Sequence, residues 1–364
     1  MYIYIIMLIV SLLFCYLSEK IKNKKAKICF QVLSIIPFLV ISAIRYNVGT
    51  DYSSRYAGEF VKIRRGYIPP NLEIGYIGLV KLCLLFSKSS ILLFVLTSAI
   101  ISFSIFSMIF KYSKNKLLSI FIFFAGCFFF QSLNIVRQYI AVCMILIFYQ
   151  LLIDKKYKSM IIPIILAISM HTTSIISIIS ILLTKRIIVK PKIVFIMMLI
   201  IILFSGIFND VVGVLISNTR FSVYMGSVFD RSEIKYTALV VNITLYIISY
   251  YLMKKKKEIT RTDIIYINLL GMAVLVSTLG RVHYLFNRIT YYFSIIQILA
   301  VPQFISSAPK TSMLKLKNKN IQIQSQMLLV AFVVVLLTVN ITYTNIINND
   351  DGVLPYKTIF NKEE

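Results

Sequence analysis

The sequence predicts an all-α, polytopic integral membrane protein with about 11–12 transmembrane helices, including a re-entrant or broken helix pair. Composition is the first reason. The 364 residues are 59% hydrophobic with a mean hydropathy of +0.84, and only 15% are charged, too little polar surface to coat a soluble fold of this size. Charge placement is the second. Apolar runs of roughly 16–21 residues, the length that crosses about 30 Å of hydrocarbon, alternate with short Lys-rich clusters. The run at 1–17 has no basic residue ahead of it and no small-residue cleavage site after it, so it is expected to stay as the first helix.

The net charge of +25 does not imply a nucleic-acid partner once its location is considered. Most Lys lies in juxtamembrane clusters at 20–27, 111–116, 155–158, 185–192, 254–257 and 310–319, which is the positive-inside pattern. Placing those clusters in the cytoplasm threads the chain as one transmembrane domain, 1–364. Helices at 2–17 and 28–44 lead to an external loop at 45–73. Helices near 117–131 and 138–153 put 131–138 outside. Runs at 193–208 and 238–253 flank an external loop at 209–236, and runs at 264–280 and 289–305 flank another at 281–288. A last span at 327–345 leaves an external tail, 346–364.

Two stretches do not fit whole spans. Within 72–110, the run 90–110 can cross, whereas 73–86 is short and holds Glu73 and Lys81. It is expected to lie at the outer face as an amphipathic helix, or to be re-entrant. Residues 160–184 begin and end inside but are too few for two crossings, which need about 40 residues. Pro163 and the polar step His171-Thr172-Thr173-Ser174 predict a re-entrant hairpin or two half-helices with His171 near the apex.

This topology separates the two basic residue types. The sequence has 11 Arg, and all but Arg186 and Arg261 fall on the external side. External positive charge opposes the topology rule, and a guanidinium offers a planar fork matched to carboxylate or phosphate. The pattern points to an external cavity for a polyanion, a diphosphate or an acidic sugar. Pairing with Asp51, Glu59, Glu73, Asp210, Asp230 and Glu233, or with lipid phosphate, is the alternative.

The candidate residues follow from this. Arg45, Tyr46, Asp51, Tyr52 and Arg55 gather after the second helix, where Gly49 permits a tight turn. They could bind a sugar or phosphate and supply a base, although Arg45 could simply cap helix carbonyls. Arg137 and Gln138 open a helix from outside. Because Arg opposes the dipole there, it suits an anion site better than helix stability. His171 is one of only two His and lies within an apolar run, either as a general base or hydroxyl donor, or as a satisfied core His. Arg281, Tyr284 and Arg288 share one helical face, with Asn287 and Tyr292 beside them. Arg220 and Tyr224, with Asp230, Arg231 and Glu233, could line a lid. The five Cys have no metal spacing and read as core. No P-loop, GxSxG, HExxH or DxD pattern occurs, so no metal or other cofactor is expected.

These residues resemble the EpsG family, a branch of the Wzy-like polysaccharide polymerases. The resemblance is carried by Arg45-Tyr46-Asn47-x-Gly49-Thr50-Asp51-Tyr52, then Glu73-Ile-Gly75-Tyr76, Arg137-Gln138-x-x-Ala141, His171-x-x-Ser174 and Asn287-Arg288-x-x-x-Tyr292, in that order. It implies an architecture like that of Wzy polymerases and O-antigen ligases (GT-C-like) in a bacterial cytoplasmic membrane. It also implies a metal-independent glycosyltransferase that polymerises undecaprenyl-diphosphate-linked oligosaccharide repeat units at the outer face, for capsule or exopolysaccharide, inverting or retaining. The expected partners are the lipid-linked oligosaccharide, the bilayer, and the flippase and chain-length regulator of the same pathway. His171, Asp51, Arg137 and Arg288 would be catalytic, and the other residues named would bind substrate. Family members often carry more acids in the late external region than Asp230 and Glu233. A flippase or exporter of the same units, or a non-catalytic assembly partner, are the alternatives. No internal repeat of the transporter kind is seen, and the charges collect on one face.

Overall fold

The computed structural model describes residues 1–217, 222, 226, 231–310, 312–316 and 319–361, without the side chains of 216, 312–316 and 319–323. Arg220, Tyr224 and Asp230 therefore lie outside the described residues.

The protein is a helical membrane protein. Among the described residues, seven helices are long and apolar enough to cross a membrane: α1 (Tyr2–Lys20), α2 (Lys24–Ala43), α5 (Ile91–Tyr112), α8 (Val136–Ile153), α12 (Tyr236–Lys254), α13 (Arg261–Thr278) and α16 (Ser325–Ile341). Three bent pairs raise the number to ten: α6 (Lys116–Ala125) with α7 (Phe128–Asn134) at 49°, α10 (Pro191–Leu203) with α11 (Ser205–Ser217) at 76°, and α14 (Leu285–Ser294) with α15 (Gln297–Ser307) at 46°. Shorter elements are α3 (Gly58–Arg64), the apolar helices α4 (Ile74–Phe86) and α9 (Ile161–Met170), and a 3-10 helix over Thr172–Thr184. A two-stranded hairpin, β1 (Ser312–Leu316) with β2 (Lys319–Ile323), occupies the Lys-rich connection before α16.

Local chemistry sets the ends. Asn23 caps α2 by accepting the amides of Lys25 and Ala26, and Asn115 caps α6 through the Leu118 amide. Thr260 and Asp263 form a capping box at the start of α13. The connection expected at 131–138 is helical except at Ile135. The break comes earlier, at Gly126 and Cys127, where Cys127 takes a φ of 65°. The loop expected at 209–236 begins later than its polar residues suggest, because the helix after 203 bends and continues to Ser217. The loop expected at 281–288 is a 3-10 turn, Leu279–Arg281, followed by α14 from Leu285. The exposed side of helix α4 is Ile74, Lys81, Leu82, Leu85 and Phe86, apolar apart from Lys81, which suits lipid better than an aqueous face. Residues 161–184 form two short helices that break at His171, whose backbone is extended.

The chain divides into two compact units. One comprises 1–148, 158–174 and 337–364; the other comprises 149–157 and 175–336. The first is built round an aromatic core in which Phe38 meets Phe106, Phe123 and Phe129. Tyr4 is wedged between Phe130 and Tyr356. In the second unit polar side chains lock apolar helices together. Gln297 donates to Asn242 at 2.6 Å and Asn242 to Ser277 at 2.7 Å, joining α15, α12 and α13. Asn268 of α13 satisfies four backbone groups of the 183–189 segment, two as donor and two as acceptor.

The C-terminal tail, expected to be external, is folded back on the segment after α2. The amides of Tyr46, Gly49 and Ile359 bond Lys357, Gly352 and Ile44 carbonyls at 2.9 Å each. Asn134, at the end of α7, ties both strands of this arrangement. Its Oδ1 accepts from the Thr50 hydroxyl at 2.7 Å and the Asp51 amide at 3.2 Å, and its Nδ2 donates to the Asp351 carbonyl at 3.0 Å. Removing it leaves three polar groups without this partner, and for the buried Asp351 carbonyl that costs about 1–3 kcal/mol. Asn134→Ala is expected to lower the thermal midpoint of the protein in detergent by several degrees, as is deletion of 351–364. An unchanged midpoint in both would show that the tail is not a structural strap.

Candidate functional site

The segment Arg45–Tyr52 is shaped by close approach. Gly49, at φ 97°, lies where a Cβ would stand 3.0 Å from the Leu133 carbonyl, so only glycine fits this turn without strain. Arg45 is 2% exposed and points inward. Its guanidinium donates to the Ser42 carbonyl at 2.7 Å and the Leu133 carbonyl at 3.2 Å and stacks over Phe94. Those carbonyls belong to the last turns of α2 and α7. Two helix C-termini, each equivalent to roughly −0.5 charge, thus compensate one buried cation. Burial lowers the Arg45 pKa to about 10, which leaves it charged at neutral pH. Arg45 therefore takes the carbonyl-capping role. Tyr52 is likewise buried, stacked on Phe94 at 4.2 Å, and Tyr46 meets it edge to face.

A second cluster forms within the same unit, where four segments meet. Helices α4 and α9 cross at Gly75, where an added Cβ would stand 2.6 Å from the Ser169 hydroxyl and 2.7 Å from its carbonyl oxygen. Glu73 lies two residues before Gly75, and His171 two residues after Ser169. The tight crossing thereby brings His171 Nδ1 to 3.1 Å from Glu73 Oε1. On the other oxygen, Arg137 Nη1 of α8 donates to Glu73 Oε2 at 3.2 Å. Glu59 of α3 completes the group, its Oε2 3.8 Å from the same nitrogen. Tyr76 and Tyr56 present their rings to the guanidinium at 5.1 and 6.0 Å.

The two carboxylates differ in character. Burial pushes the Glu73 pKa up, but the His171 hydrogen bond and the charges of His171 and Arg137 overcome this and hold it at about 2. Glu59 is also buried, and burial wins there. Its pKa is raised despite Arg137 and Arg55, with Glu73 and Asp51 adding to the rise. Glu73 is thus a fixed anion, whereas Glu59 is poised to take a proton. Among the described residues no three His, Cys, Asp or Glu side chains come together in a way that could hold a metal ion.

The structure thus brings Arg137 and His171 together directly, with Asp51 and Arg55 close enough to act on Glu59 electrostatically. Gln138, next to Arg137, is buried. Arg281, Tyr284, Asn287, Arg288 and Tyr292 belong to the other unit. There Asn287 donates to the Glu233 carbonyl at 2.8 Å and Arg231 lies over the Tyr284 ring while pairing with Glu233 at 2.8 Å, which fastens 231–233 to the start of α14. Tyr292 is fully buried, a core position rather than a binding surface. Arg281 is exposed and Arg288 half-buried.

The EpsG family model matches residues 27–358, which includes every residue of this cluster. The chain belongs to the EpsG family. It is an integral membrane protein of a family associated with polysaccharide biosynthesis. No curated protein and no solved structure matches it. In this EpsG-family protein, four of the five segments that carry the resemblance build the two clusters, and the fifth, Asn287–Tyr292, lies in the other unit. Glu73-Ile-Gly75-Tyr76 supplies the shared carboxylate and the crossing, and the segment from Arg45 to Tyr52 supplies the turn under which α7 ends.

Gly75→Ala tests the geometry. A methyl group there must push α9 away by several tenths of an ångström, an overpacking cost of about 1–3 kcal/mol. It is expected to separate His171 from Glu73 and to reduce function as severely as His171→Asn, while Gly78→Ala, where a Cβ meets nothing, leaves it intact. Full function of Gly75→Ala would show that the crossing does not set the site.

Proposed function

We propose that this protein is a membrane glycosyltransferase that polymerises undecaprenyl-diphosphate-linked oligosaccharide units into capsular polysaccharide or exopolysaccharide at the outer face of the bacterial cytoplasmic membrane. Membership of the EpsG family supports the class. The observation that carries the reading is the Arg137 guanidinium. It stands in the first turn of α8, held by two carboxylates beside His171 and still 17% exposed. In the reaction, the bond from the donor's anomeric carbon to its diphosphate breaks as a bond to an acceptor hydroxyl forms. Negative charge develops on the departing diphosphate. A preorganised guanidinium at the positive end of a helix dipole stabilises that charge, the electrostatic contribution that usually dominates. The lipid diphosphate is itself the activated leaving group, so no nucleotide is required.

Lys keeps the charge of Arg137 but loses the planar fork, so one charge-assisted hydrogen bond worth about 1.5–3 kcal/mol is forfeited. Purified protein in proteoliposomes, given a synthetic undecaprenyl-diphosphate repeat unit in the presence of EDTA, is expected to form a ladder of polymer. Arg137→Lys should reduce it at least about tenfold, and Arg186→Lys should leave it unchanged. An impermeant thiol reagent should reach a cysteine placed at 55 from outside and one at 113 only after permeabilisation. Transport of the unit without polymer would favour an exporter and overturn the polymerase reading.

A further inference from the structure

We infer that Glu59 is the catalytic residue that accepts the proton of the acceptor sugar hydroxyl, and that the gap between Glu59 and Arg137 is the seat of that hydroxyl. This rests on the polymerase reading above.

The carboxylates of the cluster are not equivalent. Both Glu73 oxygens are engaged, one by His171 at 3.1 Å and one by Arg137 at 3.2 Å. Glu59 Oε2 is buried and has no hydrogen-bond partner. It faces Arg137 Nη1 at 3.8 Å, too far for a hydrogen bond. A hydroxyl oxygen seated beside that gap could lie about 2.8 Å from both atoms, accepting from Arg137 while donating to Glu59. A carboxylate left one partner short in a buried site is costly, and a ligand hydroxyl is the neutral donor that satisfies it. The ring of Tyr76 beside Arg137 gives an apolar wall of the kind against which a sugar ring can lie.

The groups facing Glu59 suit it to take a proton. Arg55, Asp51 and Tyr56 lie on its own segment, Glu73 and Tyr76 come from α4, and Arg137 comes from α8. Burial favours the protonated form most, Arg137 and Arg55 oppose it, and the negative charges of Glu73 and Asp51 add to it. As the new glycosidic bond forms, the hydroxyl proton passes to Glu59 Oε2, and the electron pair of the breaking bond leaves with the diphosphate. The proton then returns to water. Glu73, fixed as an anion, is a positioning residue that holds His171 and Arg137 and takes no proton.

The test uses full-length protein in proteoliposomes with the same synthetic lipid-linked unit, reading bound unit and polymer separately. Glu59→Gln is expected to bind the unit as wild type does and to lose polymer formation about 100-fold or more, while Glu59→Asp keeps part of the rate. The wild-type rate should rise with pH as Glu59 loses its proton, and Glu59→Gln should lose that rise. Undiminished polymer from Glu59→Gln, with the wild-type pH profile, overturns the assignment and leaves the polymerase reading standing. No polymer from wild type overturns both. If Glu59→Gln fails to fold, a wild-type rate that does not fall as the pH is lowered into the carboxylate range still overturns the assignment.

Discussion

One buried carboxylate holds the candidate site together. Glu73 stands at the start of a short apolar helix and engages a partner with each oxygen, the His171 ring from the break between two half-helices and the Arg137 guanidinium from a spanning helix. A carboxylate in this setting is too costly to bury alone, and removing one member of such a group typically costs about 3–5 kcal/mol. The charges therefore fix where the segments meet. The apolar surfaces of α4, α8 and α9 could pack in several registers. The register adopted lets Glu73 reach both partners, and the Gly75–Ser169 crossing admits it sterically. Burial and rigidity come at once, which is what a site needs if its guanidinium is to meet developing charge without reorganising.

Arg45 solves a different problem with the same side chain. It has no carboxylate; instead it satisfies carbonyls at the ends of two helices and fills the space beneath Phe94. The tail over 351–359 and Asn134 then hold the backbone of the turn from the other side. The specific-looking segment after α2 is thus largely a scaffold. It ends α2 and anchors α7, and Asp51, Arg55, Tyr56 and Glu59 follow from it in order along the chain. Arg231 paired with Glu233 and Arg64 bonded to the Lys88 carbonyl show the same economy. Part of the arginine asymmetry is architecture, and the share left to bind an anion is smaller than the sequence suggests.

The class of fold was legible because hydrocarbon thickness sets run length, and lysine clusters mark the ends of runs. The break at His171 was legible for the same reason: too few residues for two crossings, with a polar step in the middle. Arg137 and His171 could be singled out as polar groups where apolar ones are the rule. Their shared partner could not. Glu73 read as a polar edge of an amphipathic helix, since nothing local tells a buried anion from a solvated one. The faint signal was a small residue two positions on, Gly75, matching a small residue two positions before His171. Glu59 lies in a stretch that resembles any charged loop, where the sequence offers it only as one of four acids, with Glu73, Asp230 and Glu233, that could serve as base after Asp51 and His171. Its one clue is that Tyr56, Glu59, Phe60 and Ile63 share a helical face, and all four are buried. The tail was missed because its contacts are backbone pairings across the length of the chain, which residue types do not encode.

The central claim is that Glu73 organises His171, and the sequence makes it directly measurable, because the chain has only two His. Selective 15N labelling of histidine in nanodisc-embedded protein yields two imidazole rings. His283, whose Nδ1 accepts the Leu285 amide at 3.2 Å, serves as the internal reference. The account predicts that Glu73→Gln shifts the His171 Nδ1 resonance strongly, as a charge-assisted bond gives way to a neutral one, while the His283 signals hold still. A His171 ring that does not respond to Glu73→Gln would contradict it.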